Sequence, residues 1–346
     1  MSSDEMARIP QPESGKSIIA GEGVEVVPLA AESMGVRSLA ALIRTPDTGV
    51  LIDPGVALGF REQLHPHPSE YRALSDRRKE IQRAAPEAEL IVVSHFHHDH
   101  FMPFFENYAL FWSSPEDAAA LYQQHRVWCK DIRNHVNWSQ QGRGYDFIRR
   151  VRDVAREVVY ADGRALKLGA TTVRFSPAVP HGEENSGLGW VVMTAISYHG
   201  VTVVHASDIQ GPMAAQTADW ILSQKPLVLL LAGPPTYLSP GHVAPAVLAK
   251  AGENLSRLVV KIPTVIVDHH LLRDANWRSW IAPVQAVAEA NHHSLTTVAG
   301  ARGLPEQLLE AQRSQLYARN PPTPAYTAWT RSIQSSRTQS PPPLEA

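Results

Sequence analysis

Short apolar runs alternate along this chain with longer polar segments that carry apolar residues at helical spacing. The short runs predict strands, and the clearest is the run of four branched aliphatic residues at 90–93. Further strands are predicted at 24–29, 39–44, 50–52, 171–176, 191–198, 201–205, 227–231 and 264–267. Helices are predicted at 69–85, 117–135, 145–159, 215–223, 245–260 and 277–290. The residues Tyr198-His199-Gly200 predict a hairpin between two of the strands.

The order of these elements indicates an α/β fold. The predicted strands outnumber those of a doubly wound parallel sheet, and the helices fall between groups of strands. We therefore expect an αββα sandwich, in which two mixed sheets pack together with helices outside, as a single domain at 17–333. Residues 1–16 are polar and 334–346 are rich in Ser and Pro, so both ends are predicted to be disordered tails.

Composition narrows the class of protein. The chain has 346 residues, 44% of them hydrophobic, and a net charge of -2, so no global field attracts nucleic acid or an anionic membrane. Cys129 is the single cysteine, which excludes an internal disulfide and a cysteine-rich zinc site. The polar first residues predict no secretory signal, and no apolar run reaches membrane-spanning length. We expect a soluble cytoplasmic protein, and the sequence leaves its oligomeric state open.

The segment Ser94–His100 carries the most informative chemistry. It reads H-x-H-x-D-H and directly follows the predicted strand at 90–93. Imidazole and carboxylate are the groups that hold divalent transition metals in hydrolytic sites. Other residues of ligand type also follow apolar runs, namely Asp53, His181, Asp208, His269 and His270. The pattern predicts a metal site at the ends of several strands.

These motifs together resemble the metallo-β-lactamase-fold hydrolases, from about residue 21 to about residue 290. The resemblance implies the αββα sandwich and a site for two divalent metal ions at one edge of the sheets. It assigns His95, His97 and His181 to one metal, assigns Asp99, His100 and His269 to the other, and makes Asp208 the bridge. Adjacent strand residues point to opposite faces, so only one of His269 and His270 is expected to face the metals; His269 is favoured and His270 is the alternative.

The same resemblance implies a mechanism. A metal-bridging hydroxide, whose pKa the metals bring down to about 7, would be the nucleophile, with Asp99 and Asp208 as catalytic carboxylates. Asp53 would hold a ligand imidazole by a hydrogen bond, and His98 would face away. Zinc is favoured, with manganese and iron as alternatives. Diiron flavoprotein relatives carry Glu where this chain has His97, which argues against them.

A helical insertion at about 112–157 is a candidate lid over the site. Its polar residues Asn137, Gln140 and Arg143, together with Tyr237 further along the chain, are candidate substrate contacts. The glycines at 142 and 144 suggest a hinge beside Arg143. The alternative is a solvated pair of helices, because acidic residues offset most of the basic ones.

Three functions remain open at this stage. The first is a hydrolase of an anionic, phosphodiester-type substrate, either a small molecule or an oligonucleotide. The resemblance to the tRNA 3′-processing branch supports it, through the spacing of His269 and Arg273, although the chain lacks a strong nucleic-acid signature. The second is a hydrolase of a small ester, lactone or thioester, and the third is a non-catalytic metal-binding protein.

Overall fold

The computed structural model describes residues 17–184, 187–239 and 241–344, so the tail predicted at 1–16 lies outside the described residues. The strands are β1 (Ile18–Gly21), β2 (Val24–Ala31), β3 (Leu39–Arg44), β4 (Gly49–Ile52), β5 (Leu90–Val93), β6 (Arg126–Cys129), β7 (Glu157–Tyr160), β8 (Ala165–Leu168), β9 (Thr171–Phe175), β10 (Val179–Pro180), β11 (Trp190–Val191), β12 (Thr194–Tyr198), β13 (Val201–His205), β14 (Val228–Ala232), β15 (Thr264–Asp268) and β16 (Ser294–Thr296). The helices are α1 (Pro68–Ala84), α2 (Pro115–Tyr122), α3 (Trp138–Val151), α4 (Ala215–Ser223), α5 (Pro245–Val259), α6 (Trp277–Ala290), α7 (Val298–Ala301), α8 (Arg313–Arg319), α9 (Pro324–Arg331) and α10 (Gln334–Gln339). Among the described residues, no helix is both long enough and apolar enough to span a membrane.

Two mixed sheets form the centre of the molecule. The first runs β1-β2-β3-β4-β5-β6-β7, and the second runs β16-β15-β14-β13-β12-β9-β8. In the first sheet β1 to β4 are antiparallel and β4 to β7 are parallel. In the second, β13 to β16 are parallel, and β12, β9 and β8 continue it antiparallel. Both sheets thus combine an antiparallel half with a parallel half.

The side chains of β5 show how the layers pack. Leu90 and Val92 belong to the core between the two sheets, together with Ile266 of the second sheet. Ile91 and Val93 alternate with them and pack into a separate core beneath α1, α2 and α3. Helices α4, α5 and α6 cover the outer face of the second sheet in the same way. Because β5 is buried on both faces, its sequence is apolar throughout, and the predicted αββα sandwich is confirmed.

The predicted hairpin joins β12 to β13. Tyr198 pairs with Val201 across the turn, and His199 and Gly200 between them have φ angles of 43° and 87°. Two consecutive left-handed residues are typical of the type I′ turn, whose twist matches that of the strands. Gly200 suits this position because it has no Cβ to oppose a positive φ.

The segment predicted as a helical insertion is only partly helical. Helix α2 ends at Tyr122, and the predicted helix at 117–135 is wrong beyond that point because 126–129 forms β6. Strand β6 pairs in parallel with β5 and β7, and Val127–Cys129 is buried there. The predicted helix at 145–159 is likewise helical only up to Val151, where α3 ends, and its last residues belong to β7. Pairing with strands distant in sequence overrides the local helical pattern here.

The chain beyond α6 also differs from expectation. The predicted disordered tail begins at 334, whereas the structure places Gln334–Gln339 in α10 and packs Leu344 against the core beneath α1. A buried ion pair helps to hold this segment, because Arg313 of α8 donates to both carboxylate oxygens of Glu70 at 2.8 and 2.7 Å.

Candidate metal centre

The predicted ligand side chains converge where four strands end. Asp53 follows β4, the segment 94–100 follows β5, Asp208 lies three residues beyond β13, and His269 follows β15. These strands belong to the parallel halves of the two sheets, so their carboxyl ends meet at one edge of the sandwich. The hydroxyls of Ser94 and Ser207, one from each sheet, lie 2.6 Å apart at this edge.

One group of donors could hold a metal ion through His95, His97, His181 and Asp208, whose ligand atoms all lie within 4.8 Å of one another. His95 Nε2 lies 3.1 Å from His97 Nδ1. His181 Nε2 lies 2.8 Å from Asp208 Oδ2. The ring nitrogens and the carboxylate therefore surround a common point.

A second group contains Asp99, His100 and His269, also within 4.8 Å of one another. The Nε2 atoms of His100 and His269 face each other at 3.3 Å. Asp208 Oδ2 lies 3.8 Å from His100 Nε2 and 3.5 Å from His269 Nε2. Asp208 thus lies between the two groups, in the position that the resemblance implies for a bridge.

The acid–base chemistry of four of these donors, His95, His97, Asp99 and Asp208, fits divalent metal ions. Burial lowers the pKa of His95 and of His97 well below the ordinary value. Burial alone would raise the pKa of Asp99 and of Asp208, but the neighbouring histidines lower both. Neutral imidazoles and ionised carboxylates are the forms that bind a metal. Asp208 Oδ1 is buried without a hydrogen-bond partner among the described residues, and a cation would satisfy it.

Asp53 lies behind the site and holds one of these imidazoles. Its carboxylate accepts hydrogen bonds from His100 Nδ1 at 2.8 Å, from the Ser94 hydroxyl at 2.7 Å and from the Ser207 hydroxyl at 2.8 Å. A proton on His100 Nδ1 leaves the Nε2 lone pair directed at the site. The structure therefore places Asp53 behind a candidate ligand imidazole.

Glu32 holds the imidazole of His269 in the same way, and it is not among the site residues predicted from the sequence. It directly follows β2, is fully buried, and its Oε2 accepts from His269 Nδ1 at 2.7 Å. Its other oxygen accepts from Arg273 Nε, and Arg273 Nη2 reaches to 3.6 Å from Asp99 Oδ2. An acidic residue directly after an apolar strand is the signal that identified Asp53, and it also applies to Glu32.

Both His269 and His270 reach the centre. Their Nε2 atoms lie 3.5 and 3.0 Å from Asp208 Oδ2. The expectation that only one could face the site assumed a continuing strand. The chain instead leaves β15 at Asp268, His269 has a φ of 58°, and His269–Arg273 forms a 3₁₀ helix. Asp268 fixes this turn by accepting from the backbone N–H of His269 at 2.8 Å.

A cavity of about 600 Å³ opens onto both groups. Its polar wall includes His97, Asp99, His181, Asp208 and His270, and its apolar wall includes Leu58, Leu110, Phe111, Leu238 and Val243. His98 also lines the cavity, with its ring centroid 4.5 Å from that of Phe111. His98 belongs to neither donor group, and its ring lies along the cavity wall.

Arg143 lines the same cavity from α3, and its Nη1 donates to the Phe96 carbonyl at 3.3 Å. The predicted hinge beside it is not present. Gly144 lies inside α3, where an added Cβ would stand 2.5 Å from Ile132. This glycine therefore permits close packing of the helix, and Arg143 projects from a fixed element.

The other candidate substrate contacts do not line the cavity. Gln140 is fully buried, with its carboxamide nitrogen 3.3 Å from His97 Nε2 and 3.0 Å from the Leu188 carbonyl, which accepts from it. Asn137 caps α3 by accepting from the Gln140 N–H at 2.8 Å. Tyr237 lies beneath Arg61, whose guanidinium carbon is 5.1 Å from the ring centre. Gln140 is thus in contact with a candidate ligand.

Comparison with known proteins places these features in a family. The family model described as the metallo-beta-lactamase superfamily matches residues 34–102. A UPF0282 protein of Methanopyrus kandleri is 39% identical over 85% of this chain and 99% of its own length. One from Thermococcus kodakarensis is 38% identical over 85% of this chain and 95% of its own length.

Among solved structures, a possible metal-dependent hydrolase from Veillonella parvula matches with a TM-score of 0.43 and 12% identity, over 76% of this chain and 94% of that one. Members of the metallo-β-lactamase superfamily are metal-dependent hydrolases that bind divalent ions, often zinc. The sequence identity to these relatives shows that this chain belongs to the UPF0282 family. Its two mixed sheets flanked by helices have the metallo-β-lactamase fold.

Proposed function

We propose that this protein is a dinuclear metal-dependent hydrolase that acts on a small anionic ester, with phosphodiesters as the favoured class. The observation that carries the proposal is the position of Asp208 between two groups of donors. His95, His97 and His181 would hold one ion, and Asp99, His100 and His269 would hold the other. Zinc suits these nitrogen and oxygen donors, and manganese and iron accept the same ligands.

Two bound ions would supply a water nucleophile at neutral pH and stabilise the negative charge that develops on the ester. The side chains of the protein would orient the water and accept its proton. Asp99 and Asp208 both reach the cavity wall, and Asp99, besides helping to hold the second ion, would orient water or accept its proton. Arg273, 3.6 Å from Asp99 Oδ2, favours the ionised form of that carboxylate.

The charge of the cavity supports an anionic substrate. Arg37 and Arg273 also line the cavity, but Arg37 forms two hydrogen bonds of 2.7 Å with Glu310, and Arg273 is bound to Glu32. The guanidinium of Arg143 has a single hydrogen bond, to the Phe96 carbonyl, among those that the structure describes. Its remaining N–H groups could bind a phosphate or carboxylate in two-point fashion.

The apolar wall supports a second candidate, a small ester, lactone or thioester. Leu58, Leu110, Phe111 and Leu238 offer a surface for an uncharged acyl chain. The phosphodiester remains favoured because an uncharged acyl substrate would leave Arg143 without a role.

The test is a substrate comparison on metal-loaded protein, using bis(4-nitrophenyl) phosphate, 4-nitrophenyl acetate, a lactone and a thioester. We expect the phosphodiester to be hydrolysed, and Arg143→Lys to lower its kcat/KM by about tenfold, equivalent to about 1.4 kcal/mol, because a point charge cannot reproduce the two-point contact. Hydrolysis of 4-nitrophenyl acetate should change little in the same variant. Metal content and melting temperature serve as controls for global damage. Preferential turnover of an uncharged substrate, with Arg143→Ala as active as wild type, would refute the anionic class.

A further inference from the structure

A second cavity adjoins the candidate metal centre and is not used by the proposed reaction. It has a volume of about 230 Å³ and shares two lining residues, His98 and Arg143, with the larger cavity. The two spaces are therefore neighbours, separated by these side chains. We call the smaller space the Phe105 pocket, after the phenylalanine at its rim.

Aromatic rings form the walls of the Phe105 pocket. Phe101, Phe104 and Phe147 line it, and Phe105 is 42% exposed. The inner rings are fixed by the core, since Phe147 packs edge-on against Phe101 with centroids 5.2 Å apart and against Tyr122 at 5.1 Å. A pocket with rigid walls exists before its ligand arrives, so binding costs little ordering entropy.

Its charged residues are mainly basic. Arg143, Arg149 and Arg150 line the pocket, with Asp146 as the acidic lining residue. The contact between Arg149 Nη2 and Asp146 Oδ1 is long, at 3.9 Å, and both side chains are largely exposed. Guanidinium groups beside phenylalanine rings favour a flat aromatic ligand that carries negative charge at one end.

We propose that the Phe105 pocket binds an aromatic ring of the substrate, and that the substrate is an aryl-substituted phosphate ester. This inference rests on the proposed function and names the substrate class of the same site. The phosphate would lie beside the ions held by the two donor groups and Arg143, and the ring would extend past His98 into the Phe105 pocket. A volume of about 230 Å³ is below the range of drug-sized ligand sites, which suits one ring system rather than a polymer.

The test compares two anions that differ only in the ring. Phenyl phosphate and methyl phosphate are titrated calorimetrically into the metal-loaded protein. We expect phenyl phosphate to bind about tenfold more tightly, because the ring buries apolar surface and contacts aromatic walls. The preference should fall to about twofold or less in Phe105→Ala and return in Phe105→Tyr. Phe60→Ala removes another exposed phenylalanine, 53% exposed and outside both cavities, and should keep the full preference.

Equal affinity for the two anions, failure of both to bind, or an unchanged preference in Phe105→Ala would overturn the proposal. Failure of the proposed function is distinguishable, because this titration needs no turnover. If the protein prefers phenyl phosphate but hydrolyses no phosphodiester, the pocket assignment holds and the reaction is wrong. If it hydrolyses phosphodiesters without any preference for the ring, the pocket assignment is wrong and the reaction holds.

Discussion

Glu32→Gln is the substitution that most directly probes how the candidate ligands are held. The carboxylate is buried, and it accepts from both His269 Nδ1 and Arg273 Nε. Glutamine keeps the shape but removes the charge, and its single carbonyl oxygen can serve only one of the two donors. The next carboxylate near Arg273 is Asp99, 3.6 Å from its Nη2. The variant therefore leaves a buried guanidinium poorly compensated.

Two effects follow, and they can be measured separately. Breaking a buried ion pair typically costs about 3–5 kcal/mol, so the free energy of unfolding of the metal-free protein should fall by about 3 kcal/mol. Loss of the partner that orients a metal-binding imidazole typically costs about 10–100-fold in metal affinity. Urea unfolding gives the first quantity, and competition with a chelator of known affinity gives the second.

Glu310→Gln is the matched control. Glu310 is also buried, and it forms two hydrogen bonds of 2.7 Å with Arg37, but it contacts none of the candidate ligands. We expect it to lower the free energy of unfolding without changing metal affinity. If Glu32→Gln binds metal as tightly as wild type, or if Glu310→Gln weakens metal binding equally, the assignment of Glu32 to ligand orientation is refuted.

Four further substitutions, two of them compared with each other, test individual roles. Asp208→Ala should lower hydrolysis at least 10²-fold in a folded protein, because one carboxylate serves both donor groups; wild-type activity would contradict the bridge. His269→Ala should lose more metal than His270→Ala, since Glu32 fixes the His269 ring, and elemental analysis showing the reverse order would make His270 the ligand. Gln140→Leu should weaken metal binding about tenfold by releasing the His97 ring, and an unchanged chelator titration would limit Gln140 to packing.

The sequence indicates which side chains converge at the candidate site because most of them lie at or shortly after strand ends. A strand-ending Asp53 or Asp208 needs only the direction of its own strand to reach the shared edge, so local pattern and parallel pairing suffice. The segment 94–100 is a single short turn and therefore comes together without long-range information. The side-chain directions of His98 and His270 depend on turns that periodicity does not describe.

The rest of the fold depends on contacts between distant parts of the chain. Strand β6 has four residues, and its pairing with β5 and β7 decides its structure. Arg313 is 243 residues from Glu70, and either residue alone resembles an ordinary surface charge. Glu32 and His269 are 237 residues apart. Such pairs form only once the sheets are assembled, so no local signal in the sequence identifies which residues pair.

The central claim is that this chain holds two metal ions in two donor groups joined by Asp208. Elemental analysis of protein purified without chelators, and reloaded with zinc or manganese, tests it directly. We expect about two ions per chain, and a much lower value in Asp208→Ala. A reproducible value of one ion per chain or less, unchanged after reloading with either metal, would contradict it.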